Sequence, residues 1–175
     1  AVMQSKTARI GNLVMAVSIA GAIAARIELV FLAFAEQHLL FEAAAQGGNI
    51  LIPAFAVGRT QEILYTLKKQ GLTAPVYVDS PMATSATDVY RKHRSVLSEE
   101  IQSYFATDGD PFDGPNIHFV RDIADSIALN RDRTPKVILS ASGMCDAGRV
   151  KHHLKHGLWR RENRVIFIGY QAEGA

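Results

Sequence analysis

A single cysteine, Cys145, is all the thiol this chain has. That excludes an internal disulfide and any zinc site built from several thiolates, and nothing asks for an oxidising compartment. The cytoplasm is therefore the expected location. Charge of one sign is also scarce in bulk, since 19 Lys and Arg against 17 Asp and Glu leave only +2 at pH 7. The whole molecule is no electrostatic magnet for nucleic acid, and any attraction must come from local clusters. Long apolar runs are missing too. Lys6 and Arg9 precede Leu13 to Ala25, which has the outline of a secretory signal but falls short of the roughly 20 residues that span a bilayer. An apolar run resumes after Arg26 and Glu28, so 1–25 is expected to be a buried helix or a strand of a sheet, with no membrane as partner. Neither a Gly-x-Gly-x-x-Gly nor a Lys-bearing phosphate loop is present, which removes two common nucleotide signatures. There is no internal repeat.

What is there suits one globular domain: 175 residues, 48% hydrophobic and 21% charged. Leu29 to Gln46 reads as an alanine-rich helix ended by Gly47-Gly48. From Asn49 the pattern becomes regular. Ile50 to Phe55 is a continuous apolar run, as a strand buried on both faces should be, and a helix follows from Gly58 through Leu67, closed by Gly71. Val76 to Val78 is the next strand, with Pro81 suited to a first helical turn and Asp79 expected as its cap. Thr84 to His93 and Ser95 to Phe105 read as two helical pieces, and Thr107 to Pro115 as a loop. Ile117 to Val120, Val137 to Ser140 and Val165 to Gly169 supply three more strands, with a short helix around Asp122 to Leu129. Strands alternating with helices predict a three-layer α/β domain, an open and mostly parallel sheet with helices on both faces. Ligands of such sheets sit at the carboxyl ends of the strands.

One such end organises the rest. Ser140-Ala-Ser-Gly-Met144 breaks an apolar strand and leads to a segment in which Val150, Leu154 and Leu158 recur at helical spacing. A turn of small residues before a helix offers backbone N–H groups to an anion, and a phosphate is the natural candidate. Such turns also serve simply to reverse the chain and cap a helix. Here a basic cluster follows: Arg149, Lys151, Lys155, Arg160, Arg161 and Arg164 against Glu162 alone, with His152, His153 and His156 between them. A second basic knot is Arg91 to Arg94. Charge clusters are often no more than solvated helix faces, but one beside a candidate phosphate turn would act on the same ligand.

Four ordered motifs then carry a resemblance. They are Gly47-Gly-Asn-Ile-Leu-Ile-Pro-Ala-Phe-Ala-Val-Gly-Arg-Thr-Gln-Glu62, Val78-Asp-Ser-Pro-Met-Ala83, Ser140 to Met144 with Gly148-Arg149, and Gly169-Tyr-Gln-Ala-Glu-Gly174. Together they resemble the β-CASP domain of metallo-β-lactamase-fold ribonucleases, including the pre-mRNA 3′-end-processing endonuclease and its bacterial and archaeal relatives. The match runs from about residue 47 to 175, leaving 1–46 as a poorly matched N-terminal segment and the β-CASP domain truncated at its C-terminal end. The resemblance implies a domain lying over a metallo-β-lactamase catalytic domain, with single-stranded RNA threading the cleft between them toward two zinc ions. It also implies that Arg59, Ser142, Gly143 and Met144 lie at the RNA-facing strand ends. The candidate phosphate- and RNA-binding residues are thus Arg59, Ser140, Ser142, Gly143, Met144, Arg149, Lys151 and Lys155. Contacts of that kind position a strand without reading its bases.

The departures are equally specific. The family's zinc is held by a His-x-His-x-Asp-His cluster, and this chain has none, so no metal or catalytic residue is assigned within it. His152 and His153 are neighbours in sequence and cannot share a helix face. His153 and His156 could, yet two histidines make a poor zinc site, and structural or surface roles are expected. The family's acidic residue on the first helix could correspond to Glu36 or Glu42. Asp79-Ser80 and Cys145 invite a nucleophile reading, but no histidine is placed by sequence to activate either, and Cys145 is expected to be an inert small hydrophobe. The function expected is RNA binding within a zinc-dependent ribonuclease. The alternatives are a non-catalytic scaffold subunit, or a self-standing α/β enzyme acting on a small phosphorylated substrate. A domain normally covered by another would leave apolar surface near the strand ends, and the chain would then dimerise or bind a partner.

Overall fold

Side chains alternate across each central strand, and that alternation explains the layers. In β2 (Ile50–Pro53), Ile50 and Ile52 point into one core while Leu51 points into a second on the opposite face. In β5 (Val137–Ser140), Val137 and Leu139 likewise join the first core and Ile138 the second. Both faces must therefore be covered, which is why these runs are apolar throughout rather than alternating with polar residues. The structure, a computed structural model, describes residues 26–30 and 47–168.

Six strands form one sheet in the order β1-β6-β2-β5-β3-β4, every neighbouring pair parallel. The remaining strands are β1 (Arg26–Val30), β3 (Val76–Asp79), β4 (Ile117–Phe119) and β6 (Arg164–Ile168). Among the described residues the α-helices are α1 (Arg59–Lys69), α2 (Pro81–Lys92), α3 (Glu99–Thr107), α4 (Ile123–Arg131) and α5 (Val150–Gly157), with a 3-10 turn at Arg94–Val96. Ile63, Leu64 and Leu67 of α1 and Ala83 of α2 fill the first core. Leu129 of α4 and Val150 of α5 fill the second. Fully buried aliphatic side chains such as these each stabilise the fold by about 1.5–3 kcal/mol relative to exposure.

The helices change face because the chain changes direction. From β2 to β3 to β4 it moves toward one edge with α1 and α2 on the first face. After β4 it returns, inserting β5 between β2 and β3 and then crossing β2 to reach β6, with α4 and α5 on the second face. Crossovers of one hand require this switch of face when the direction reverses. Consequently β2 and β5 are adjacent, yet the segments leaving their carboxyl ends part to opposite sides of the sheet. The strand ends where they part are the place at which such sheets bind ligands.

Two local expectations are corrected. Asp79 does not cap α2. Ser80 does, its Oγ accepting the Ala83 N–H at 3.2 Å ahead of Pro81, while the Asp79 side chain turns inward. Leu29 and Val30 are not helical but end β1, whose register on β6 pairs Leu29 with Phe167 and Val30 with Ile168. A strand one hydrogen-bonded step from the core is favoured over helix propensity by that pairing. The expected structure of 1–25, the remainder of the expected 29–46 helix with Glu36 and Glu42, and the Gly169 to Gly174 turn lie outside the described residues. The other strands and helices fall within a few residues of their expected limits. Among the described residues no helix is long and apolar enough to cross a membrane.

The loop from 108 to 116 is held by basic side chains. Lys68 reaches the Asp110 and Asp113 carbonyls, both at 2.5 Å. Arg91 binds the Asp110 carboxylate at 2.6 Å and the Phe112 carbonyl at 3.3 Å, and Arg94 lies over the Phe105 ring at 4.3 Å. The arginines of the Arg91 to Arg94 knot thus serve packing.

Candidate nucleic-acid interface

Register brings three strand ends level: Pro53 pairs with Ser140, and Ser140 with Asp79. The chain leaving β2 passes Phe55 and turns at Gly58, whose φ of 81° suits a residue without Cβ. The Gln61 side chain accepts the Gly58 N–H at 2.8 Å, and Thr60 binds the Phe55 carbonyl through both its N–H and its hydroxyl, at 3.2 and 2.8 Å. These bonds fix the start of α1 and hence Arg59. The Arg59 guanidinium meets Glu62 at 2.7 Å, with side-chain exposures of 36% and 57%. So exposed an ion pair contributes at most about 1 kcal/mol, so the guanidinium is readily transferred to a stronger anion.

The chain leaving β5 folds on itself. The Ser142 N–H donates to the Ala147 carbonyl at 3.1 Å, and the Ser142 hydroxyl donates to the Asp146 carboxylate. That hydroxyl holds the Asp146 carboxyl below the usual carboxylate range. Gly143 is buried under Phe55, and a Cβ there would meet the Phe55 ring and backbone nitrogen, both at 3.1 Å. Through this contact the two loops touch. Gly148 turns the chain back with φ of 79° and lies against the Ala141 carbonyl, closing the loop before α5. Burial, aided by Asp146, pushes the Cys145 thiol up to about 11, so its sulfur stays protonated and unreactive, as expected of a small hydrophobe.

Not every expected residue faces outward. Ser140 is buried and its hydroxyl donates to the Asp79 carbonyl at 3.0 Å, while the Ser142 N–H is taken up inside the loop. Neither is offered to a ligand, because each satisfies a polar group beside it that would otherwise be orphaned. The loop also places five residues between Met144 and α5, so the turn does not lie directly on the helix N-terminus. Arg149 points inward: Nη1 donates to Asp79 Oδ1 at 2.6 Å and the Val120 carbonyl at 3.3 Å, and Nη2 to the Arg121 carbonyl at 2.7 Å. It positions the loop rather than presenting charge. Of the basic cluster, Arg160 binds Glu162 at 2.9 Å and is buried like Arg164, whereas Lys151, Lys155 and Arg161 are exposed. Arg59, Lys151 and Lys155 are therefore the accessible cations of the candidate set, with Met144 half-buried at the turn.

Beneath the loops lies a cluster that sequence reasoning missed. The fully buried Asp79 carboxylate receives Arg149 on Oδ1, and on Oδ2 both Ser126 Oγ and His153 Nε2, each at 2.6 Å. The other ring nitrogen of His153 lies 2.9 Å from Asn130 Oδ1. Burial alone would raise the Asp79 carboxyl, but hydrogen bonds from His153, Ser126 and Arg149 outweigh it and hold the group below its ordinary value. The serine faces the carboxylate and not the imidazole, and the group is sealed from solvent, so it is no nucleophilic triad. It ties β3 to α4 and α5. The available signal was Arg149, at the cap of α5, and His153 four residues on, an arginine and a histidine facing one side.

Apolar side chains are exposed at these strand ends. Phe55 is 49% exposed, Val57 59% and Met82 67%, all at the carboxyl ends of β2 and β3. Exposed apolar groups gathered at one edge fit a surface that something else covers.

A parallel α/β domain whose connections part at a topological switch defines a ligand-binding class, and the family is more specific. The Beta-Casp domain model matches residues 60–175, and the chain belongs to that family. Ribonuclease TTHA0252 of Thermus thermophilus is 44% identical over 140 residues, 78% of this chain and 32% of that protein. Transcription termination factor FttA of Methanocaldococcus jannaschii is 37% identical over 148 residues, 80% of this chain and 23% of that protein. The FttA of Thermococcus kodakarensis is 32% identical over 149 residues, with 78% and 22% covered. The chain thus spans between about a fifth and a third of the length of these relatives.

Proposed function

We propose that this chain is the RNA-gripping part of a ribonuclease, holding a single strand across the carboxyl ends of β2, β5 and β3. The observation that carries the reading is that the chains leaving β2 and β5 meet at the strand ends, Phe55 lying against Gly143, with the solvent-accessible Arg59 guanidinium on the same β2 loop. Arg59 supplies a planar fork for phosphate, stronger than its exposed bond to Glu62. Lys151 and Lys155 add general attraction along α5. The Phe55, Val57 and Met82 rim suits a catalytic domain closing over the strand. Hydrolysis would belong to that larger assembly.

The zinc pair implied by the family resemblance does not fit the described residues. No three His, Cys, Asp or Glu side chains converge among them, and His153 turns both ring nitrogens to Asp79 and Asn130. Zinc ligands of a whole enzyme would come from outside the described residues. What this chain contributes is alignment, since holding a phosphodiester in one orientation lowers the entropic barrier to its attack.

Fluorescence anisotropy of labelled single-stranded RNA at several salt concentrations tests the reading. Binding should differ little between sequences and weaken steeply with salt. Lys155→Ala should weaken all sequences alike and flatten the salt slope by about one unit. Binding indifferent to salt would overturn the proposal.

A further inference from the structure

The outer face of α5, whose lysines the strand-end site draws on for general attraction, continues to an exposed indole, Trp159, that the site does not use. Val150 and His153 face the core, whereas Lys151, His152, Lys155 and His156 are exposed on the opposite side. Lys151 and Lys155 stand on successive turns, and Leu158 continues the helical backbone at φ −64° and ψ −27°, so Trp159 falls one turn further in the same direction. A large indole is rarely left open without a partner, yet Trp159 is 59% exposed. The Arg133 guanidinium lies over its ring at 5.9 Å, adding a cation beside an aromatic face. From Lys151 to Trp159 the axis runs about 12 Å, a distance that a few nucleotides cover.

Resting on the RNA-binding reading and extending it, we propose that this face is a second contact for single-stranded nucleic acid. Phosphates follow Lys151 and Lys155 away from the strand-end turn, and a base stacks on Trp159 beside Arg133. Charge complementarity selects the occupant: Lys151, Lys155, Arg133 and Trp159 give this face a cationic and aromatic surplus, the pairing by which single strands are held with little sequence preference. Asp146 near Lys151 and Glu162 near Arg133 are the acids beside it. A wholly apolar partner surface would strand the two lysines, and a double helix would hide the bases from the indole.

The chain contains one tryptophan, so its emission reports this place alone. The full chain is titrated with an unstructured oligouridylate while anisotropy of a labelled copy follows binding. Emission should be quenched along the same curve, and an abasic strand of equal length should bind without that quench. Trp159→Ala should weaken binding on the order of tenfold, while Trp159→Phe keeps most of it. Circular dichroism checks that both variants stay folded. A saturating strand that leaves emission unchanged, Trp159→Ala binding as tightly as the parent, or polyglutamate quenching as well as RNA would each overturn the inference. Arg59→Ala separates the two readings: quenching that persists with unchanged affinity in that variant sinks the strand-end grip and leaves the α5 contact standing.

Discussion

Replacing Asp79 by alanine is expected to lower the unfolding free energy by about 3–5 kcal/mol, a large share of what a domain of this size has. The carboxylate is fully buried and receives Arg149, Ser126 and His153 together. Removing it leaves the Arg149 guanidinium without its anion in a half-closed site and strips Ser126 and His153 of an acceptor, and each such loss costs more than the pair contributed. Urea unfolding read by circular dichroism measures the difference. The same carboxylate makes the effect depend on pH. Its folded value is held below the ordinary 3.8, chiefly by His153, Ser126 and Arg149 acting against burial. The unfolded chain therefore takes up the proton first. The stability Asp79 confers is fully present above pH 3.8 and is lost as pH falls below it through the folded value. The gap between parent and variant should be full near neutrality and narrow in acid.

Gly148→Ala should have a comparable effect from a different cause. Gly148 has φ of 79°, and a Cβ there would fall on the Ala141 carbonyl oxygen, far inside van der Waals contact. The left-handed backbone costs a side chain about 1–2 kcal/mol, and displacing a packed neighbour about 1–3 kcal/mol more. The neighbour that must move is the backbone of the turn itself, beside the Ser142 N–H that closes the loop onto Ala147. Thermal unfolding should show the loss of stability, and RNA affinity should fall further than the lost folded fraction accounts for. Affinity that merely tracks the folded fraction would mean the turn is not part of the grip.

The strands from β2 to β6 were legible as short, largely apolar runs ended by turn residues, and β5 from Val137 to Ser140 has the expected limits, whereas β1, with Arg26 and Glu28 in it, was not. Burial on both faces writes a sheet of this kind into local sequence. The cluster at Asp79 was not legible, since its partners lie 70 residues away at Arg149 and 74 at His153. Locally an acid before Ser-Pro looks like a helix cap, and only the sheet order shows that the serine takes that duty. Arg149 misled for the same reason: a basic residue after a small-residue turn looks available until the carboxylate that holds it is in view. Arg59 was legible as a candidate through the wording of its motif. The contact of its loop with Gly143, made by Phe55, follows only from β5 lying beside β2. Trp159 carried no signal in sequence, since an isolated tryptophan after a basic helix is more often buried than open.

The central claim is that the strand ends of β2, β5 and β3 grip a single strand by its phosphates, and Arg59→Ala tests it most directly. The Arg59 side chain is partly exposed and, among the described residues, its guanidinium is joined to exposed Glu62, so its loss should leave the fold intact. A charge-assisted fork to phosphate amounts to about 1.5–3 kcal/mol, or about ten- to more than a hundredfold in affinity. Anisotropy with single-stranded RNA should show the variant weaker by that factor at every salt concentration, with unchanged circular dichroism. An Arg59→Ala variant that binds as tightly as the parent would contradict the account.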